Sequence, residues 1–234
     1  MANRNIYLNG VYDKNNPSWH SEDASWKAGQ ILKMIFRNGI KVTKVADIGC
    51  GSGMVIKYLS EDLHQTTKLD GFDVSPYAIK KCQKIKDNNI NFYHKDFVKC
   101  KKNNHYDLIL VIDVIEHLEN YSEFLTGLRS RGKYKIFNIP LDLSAQMILR
   151  STPLLKLRKR VGHLHYFTKY TAIAVLEESG YKIIDSFYAP SSHELPDRPL
   201  RMRLLSPFRR ILFLINQDFA VRLLGGYSLV VLAR

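Results

Sequence analysis

Val45-Ala46-Asp47-Ile48-Gly49-Cys50-Gly51-Ser52-Gly53 decides how this chain of 234 residues is read. A short run of strand character enters a turn with glycine at every second position, and a helical apolar pattern follows from Val55 to Leu63. A strand that turns directly into a helix aims backbone N–H groups at whatever lies over the helix N-terminus. With no Cβ at 49, 51 and 53, a ligand approaches that backbone closely. Twenty residues past Gly53, at the end of the next strand pattern, stands Asp73, a carboxylate able to accept both hydroxyls of a ribose. The dinucleotide fingerprint G-x-G-x-x-G does not fit, because the spacing here is G-x-G-x-G.

Outward from this turn the patterns alternate. Strands are expected at Lys44 to Ile48, Leu69 to Val74, Ile90 to His94, Tyr106 to Ile112, Tyr134 to Ile139 and Tyr181 to Phe187, and a last one at Tyr227 to Ala233. Helices are expected at Val55 to Leu63, Pro76 to Lys86, Tyr121 to Leu128 and Thr168 to Ser179. Such alternation implies right-handed crossovers and a mostly parallel, doubly wound α/β sheet, with ligands beyond the carboxyl ends of the strands. A helix predicted over Trp19 to Phe36 and stopped by Asn38-Gly39 precedes the first strand and is placed to cover the turn. The expected organisation is an N-terminal helical cap at 1–43, a core at 44–189, a basic amphipathic insertion at 190–226 and a final core strand at 227–234. Leu141 to Leu164 reads as a second insertion.

With 45% hydrophobic residues the chain can bury a full core. A formal charge of +13 favours an anionic partner: a nucleic acid, a phosphorylated substrate or an acidic membrane surface. Cys50, Cys82 and Cys100 are an odd number in no metal-ligand spacing, which points to a reducing, cytoplasmic setting. The polar N-terminus has no signal-peptide pattern, and no apolar run reaches membrane-spanning length.

Val45 to Gly53 resembles the first motif of the class I S-adenosylmethionine-dependent methyltransferases, and Asp73 resembles their second. The resemblance runs from about Lys44 to Phe187 and extends to Tyr227 to Ala233 as an antiparallel seventh strand. It implies that Asp47 orders the methionine end of the cofactor and that Gly49, Cys50, Gly51 and Gly53 admit it. It further implies that Asp73, with Val74 beside it, binds the ribose, and that Asp96 takes the adenine amino group with Phe97 beside the ring. Tyr106 to Leu118 is similar to the family's fourth-strand motif, in which Asp113 can face the cofactor. Gly162 to Thr168 is similar to the late loop of small-molecule and quinone-type O-methyltransferases.

Methyl transfer from a sulfonium is a direct displacement, so the protein aligns the groups and, for a hydroxyl acceptor, removes a proton. His117 is the candidate base, while His163 and His165, on the late loop, read as structural residues that can reach the same cleft. No resident metal is expected. Asp113, Glu116 and His117, at i, i+3 and i+4, are nevertheless spaced to share one helical face and hold a divalent cation.

Arg198 to Leu205 and Phe208 to Ile215 interleave arginine with large apolar residues, a pattern that suits either a membrane interface or packing against the sheet or a second subunit. Lys156 to Arg160 is a basic cluster beside the expected acceptor cleft, suited to an anionic or lipid-linked acceptor or to a charged loop. The expected activity is O-methylation of a small molecule, glycan or lipid-linked intermediate. The alternatives are RNA methylation and a non-catalytic binding protein with the same fold.

Overall fold

The computed structural model describes residues 4–100, 105–191 and 206–234. Seven strands form one sheet in the order β3-β2-β1-β4-β5-β7-β6. They are β1 (Lys44–Ile48), β2 (Lys68–Asp73), β3 (Ile90–His94), β4 (Tyr106–Ile112), β5 (Gly132–Pro140), β6 (Ile183–Ala189) and β7 (Ser228–Ala233). Every pairing from β3 through β5 is parallel, and β7 runs antiparallel between β5 and β6. Successive residues of a strand face opposite sides, so Val45 packs into one apolar layer and Ala46 into the other. Both layers are buried, which is why β4 and β7 read as continuous apolar runs instead of alternating ones.

Register fixes the position of the site. Ile48 lies level with Phe72 of β2 and Val111 of β4, so the chain leaves β1, β2 and β4 at nearly the same height. Strand order reverses at the β1/β4 boundary, the crevice where open α/β sheets bind ligands.

The helices before the sheet are α1 (Arg4–Leu8), α2 (Val11–Asn15) and α3 (Ala24–Arg37). Helix α3 starts five residues later than the apolar pattern suggests: Trp19 (φ 51°) and His20 (φ 57°) adopt left-handed backbone, and a 3₁₀ turn at Ser21–Asp23 intervenes. Its end falls where expected, with the Asn38 amide donating to the Met34 carbonyl at 3.0 Å and Gly39 at φ 60°. Within the sheet, α4 (Met54–Asp62), α5 (Pro76–Cys82) and α6 (Tyr121–Leu128) make the crossovers, and α5 is four residues shorter than predicted. Leu141 to Leu164 folds into α7 (Ala145–Arg150) and α8 (Thr152–Arg160), and α9 (Lys169–Glu178) carries a capping box from Thr168.

Before β7 lie α10 (Ser206–Ile215) and α11 (Gln217–Leu224), while Arg198 to Leu205 falls outside the described residues. Of the two readings left open for this stretch, Arg209 takes the packing one: it is buried and donates to the carbonyls of Gly225 at 2.8 Å and Leu224 at 2.9 Å. These carbonyls follow or end α11, where helical acceptors are left without partners, so the guanidinium serves as a helix stop.

Candidate active site

The turn after β1 opens into a cavity of about 320 Å³. Gly49, Gly51 and Gly53 all have positive φ, but for different reasons. A Cβ at Gly49 would stand 2.7 Å from Val114 Cγ2 and one at Gly53 2.6 Å from the Phe92 ring, so packing requires these two glycines. At Gly51 a Cβ would meet nothing nearer than Trp19 at 3.7 Å, so this glycine leaves room above the backbone.

Asp73 ends β2 and is fixed from both sides. Its Oδ2 accepts from the Gly51 N–H at 3.0 Å and its Oδ1 from the Ser75 N–H at 2.8 Å. Each carboxylate oxygen retains a lone pair for a further donor. Burial raises Asp73 to about 6, partly opposed by the hydrogen bonds from Ser75 and Gly51. Asp47 is buried too, and its Oδ1 has no hydrogen-bond partner. Burial and then the neighbouring Asp73 push it to about 7.

Asp113 leaves β4 at φ 53°, a left-handed conformation that turns its carboxylate into the cavity. There it pairs with Lys27 of α3 at 2.7 Å and accepts from the Asn138 amide at 2.6 Å. Burial opposes the charge on both partners, yet the pair holds Lys27 above and Asp113 below their ordinary values. Sequence reasoning passed over Lys27. The legible signal was a lysine on the apolar stripe of a helix, among Ala24, Ala28 and Ile31.

His117 lines the same cavity, but burial, then His163, depress it to about 3. An imidazole so reluctant to hold a proton is a poor general base. Its Nδ1 has no hydrogen-bond partner, and neither does either carboxylate oxygen of Glu116, which is 0% exposed. Burial raises Glu116 well above the usual carboxylate range. Glu116, His117 and His163 bring three donor atoms within 4.8 Å of one another. The spacing offers Asp113, Glu116 and His117 as a cation trio beside the expectation of no metal; the structure groups a different three donors. Asp113 is taken by Lys27 and Asn138, and its place is filled by His163, whose Nδ1 lies 2.7 Å from Asp142 Oδ2. His165 instead donates to the Leu118 carbonyl at 2.8 Å.

Of the residues singled out for the cofactor, Asp47, Gly49, Cys50, Gly51, Asp73 and Asp113 line this cavity, while Gly53, Val74, Asp96 and Phe97 do not. Phe97 is buried in the core against Phe72 and Tyr106. Asp96 precedes the 3₁₀ turn Phe97–Lys99 with its carboxylate 3.7 Å from Lys99. The Val74 carbonyl accepts from His94 at 2.9 Å.

The N-terminal elements roof the cavity. Trp19 lies over Gly51, donates to Asp13 at 2.6 Å and meets Tyr12 edge-on. Tyr7 donates to the Val161 carbonyl at 3.1 Å and Asn16 to the Arg160 carbonyl at 3.3 Å, which ties this roof to α8.

Comparison with known proteins agrees with this geometry. Residues 46–133 match the family model described as a methyltransferase domain. A ubiquinone biosynthesis O-methyltransferase of Rickettsia canadensis is 28% identical over 91 residues, covering 39% of this chain and 39% of that protein. The (S)-tetrahydroprotoberberine N-methyltransferase of Eschscholzia californica is 31% identical over 87 residues, covering 36% of this chain and 25% of that protein. These matches thus span well under half the length of either relative. The structure of magnesium protoporphyrin IX methyltransferase from Synechocystis PCC 6803 with bound SAH superposes with a TM-score of 0.58 at 16% identity, covering 89% of this chain and 81% of that one. Residues 46–133 thus match a methyltransferase-domain family, and the seven-stranded order with its glycine turn is the fold of solved S-adenosylmethionine-dependent methyltransferases.

Proposed function

We propose that this chain methylates an oxygen of a small-molecule, glycan or lipid-linked acceptor with S-adenosylmethionine. The observation that carries the reading is Asp73, held by two backbone N–H groups beside the open turn at Gly51 and facing one cavity with Asp47 and Lys27. The residues fit the cofactor. Asp73 keeps lone pairs for ribose hydroxyls, Gly51 leaves space above its backbone, and the unpartnered Asp47 oxygen and the Lys27–Asp113 pair complement an amino acid's ammonium and carboxylate. When bound, S-adenosylmethionine supplies an electrophilic methyl group on a sulfonium.

Glu116, His117 and His163 would hold a divalent cation, which supplies Lewis-acid stabilisation of a deprotonated acceptor hydroxyl. Two features support this over a histidine base. A buried carboxylate without a hydrogen-bond partner, its Oε1 3.8 Å from the His117 Nε2, is costly unless a cation meets it, and a metal ligand must be a neutral imidazole, the form in which burial keeps His117. Asp142, on the far nitrogen of His163, would orient that ring.

Calorimetry with S-adenosylhomocysteine tests the cofactor reading: micromolar binding is expected, and no heat from folded protein would remove it. Titration with Mn²⁺ tests the cation. Binding should be lost in Glu116→Gln, and methyl incorporation that persists after chelation and dialysis would dismiss the metal. An RNA acceptor would call for exposed rings on which bases stack, whereas two of the described aromatic residues lining this cavity, Tyr12 and Trp19, are buried.

A second reading concerns location. Among the described residues no helix is long and apolar enough to cross a membrane. Yet α10 and α11 expose Phe208, Ile211, Leu214, Ile215 and Phe219 beside exposed Arg210 and Arg222, a composition suited to an anionic membrane interface. Flotation with phosphatidylglycerol vesicles should be lost in Leu214→Asp/Ile215→Asp. Unchanged flotation of that variant, or none by the parent chain, rejects this reading.

A further inference from the structure

A second cavity, of about 690 Å³, lies against the first and is a plausible size for a small-molecule site. Its walls include Leu141, Met147, Pro153 and Leu157. Cations stand over these walls: Lys156, Lys159 and Arg160 line the same cavity and follow one another at i, i+3 and i+4 along α8, so they share a face. Pro153 and Leu157 lie on that same stripe, which makes one side of α8 apolar within the cavity and basic around it. The two cavities meet at definite places. Leu157 lines both, and Asp142 of the larger one is hydrogen-bonded at 2.7 Å to His163 of the smaller one.

We propose that the larger cavity is the acceptor site and that it takes an anionic amphiphile. The apolar body packs on Leu141, Met147, Pro153 and Leu157, a single phosphate or carboxylate pairs with Lys156, Lys159 and Arg160, and the reacting end reaches the cofactor cavity past Asp142 and His163. This rests on the methyl-transfer reading above and narrows its acceptor. Two simpler ligands fit less well. A bare anion would leave the apolar walls wet, and a neutral hydrocarbon would leave the three like charges of α8 without an ion-pair partner among the described residues, Asp142 of the same cavity being hydrogen-bonded to His163. The basic side chains are solvated, so they select the head group, while the apolar wall of this open cavity supplies the driving force.

The test uses the full chain and monomeric dodecyl phosphate, with dodecanol and inorganic phosphate as the separated halves, each measured by calorimetry alongside S-adenosylhomocysteine. Dodecyl phosphate should bind at least tenfold more tightly than either half. The variant Lys156→Glu/Lys159→Glu/Arg160→Glu should lose tenfold or more of that affinity while still binding S-adenosylhomocysteine as the parent does. Because that variant alters charge alone, Met147→Trp fills the apolar wall independently and should also abolish dodecyl phosphate binding. The proposal is overturned if inorganic phosphate binds as well as dodecyl phosphate, if neither variant weakens dodecyl phosphate, or if S-adenosylhomocysteine binds and dodecyl phosphate does not. The last result would leave methyl transfer standing. Dodecyl phosphate binding without S-adenosylhomocysteine binding would do the reverse.

Discussion

At Asp73 the backbone has spent two N–H groups on holding a carboxylate that burial would rather neutralise. Ribose hydroxyls that donate to it favour the ionised form, and that form must first exist. Because Asp73 is raised to about 6 and Asp47 to about 7, both are largely protonated at pH 5 and largely ionised at pH 8. S-adenosylhomocysteine affinity is therefore expected to rise over this interval, and a flat profile would contradict the assignment. Asp73→Asn should weaken binding by about 10- to 100-fold, the equivalent of about 1.5–3 kcal/mol for hydrogen bonds to a charged group.

Asp47 gives a prediction of opposite sense for stability. Its folded value lies above its unfolded one, so the native state binds the extra proton between about pH 4 and 7, and the ionised carboxylate costs stability that is absent in acid. Asp47→Asn should thus stabilise the ligand-free protein by about 1–3 kcal/mol at pH 8 and far less at pH 5. Thermal melts at the two pH values check this, and a destabilised variant at pH 8 would mean that the carboxylate has a native partner.

On the scale of single elements, the glycine turn separates packing from binding. Gly53→Ala places a Cβ 2.6 Å from Phe92 at φ 76°, so a loss of about 2–4 kcal/mol in stability is expected from combined strain and overpacking. Gly51→Ala would meet Trp19 only at ordinary contact distance, 3.7 Å, and should cost about 1–2 kcal/mol for its φ of 55°, while obstructing a ligand over the turn. The expected pattern is a larger drop in melting temperature for Gly53→Ala and a larger drop in S-adenosylhomocysteine affinity for Gly51→Ala. Equal effects of both changes would show that the turn does not distinguish the two roles. Helix α3 shows how an element can be legible while its chemistry is not. Its apolar face was readable from spacing, but Lys27 acquires meaning only when β4 delivers Asp113 opposite it.

Across the whole molecule, the cavity is assembled from the N-terminal elements, the ends of β1, β2, β4, β5 and β7, the loop before α9 and α8, so occupancy should bind these parts together. At one hundred times its dissociation constant, S-adenosylhomocysteine contributes about 2.7 kcal/mol to the folded state, or about 5–10 °C in melting temperature for a chain of this size. A shift within experimental error at that concentration would mean that the folded chain does not bind S-adenosylhomocysteine in preference to the unfolded one. The cation, if held by Glu116, His117 and His163, should add its own shift, since it offsets the cost of a buried carboxylate with no hydrogen-bond partner.

Local chemistry determined much of this protein in advance. Alternating patterns announced the doubly wound sheet, and the spacing of Gly49, Gly51 and Gly53 before Asp73 announced the open turn at the head of α4, because strand, turn and helix preferences act over a few residues. Only the tertiary structure decided what meets across the cavity. The replacement of Asp113 by His163 beside Glu116 and His117, the burial of Arg209 on the end of α11 and the burial of Phe97 in the core all depend on segments distant in sequence. Burial and pairing are properties of the folded surroundings, so no spacing rule along the chain could have assigned them.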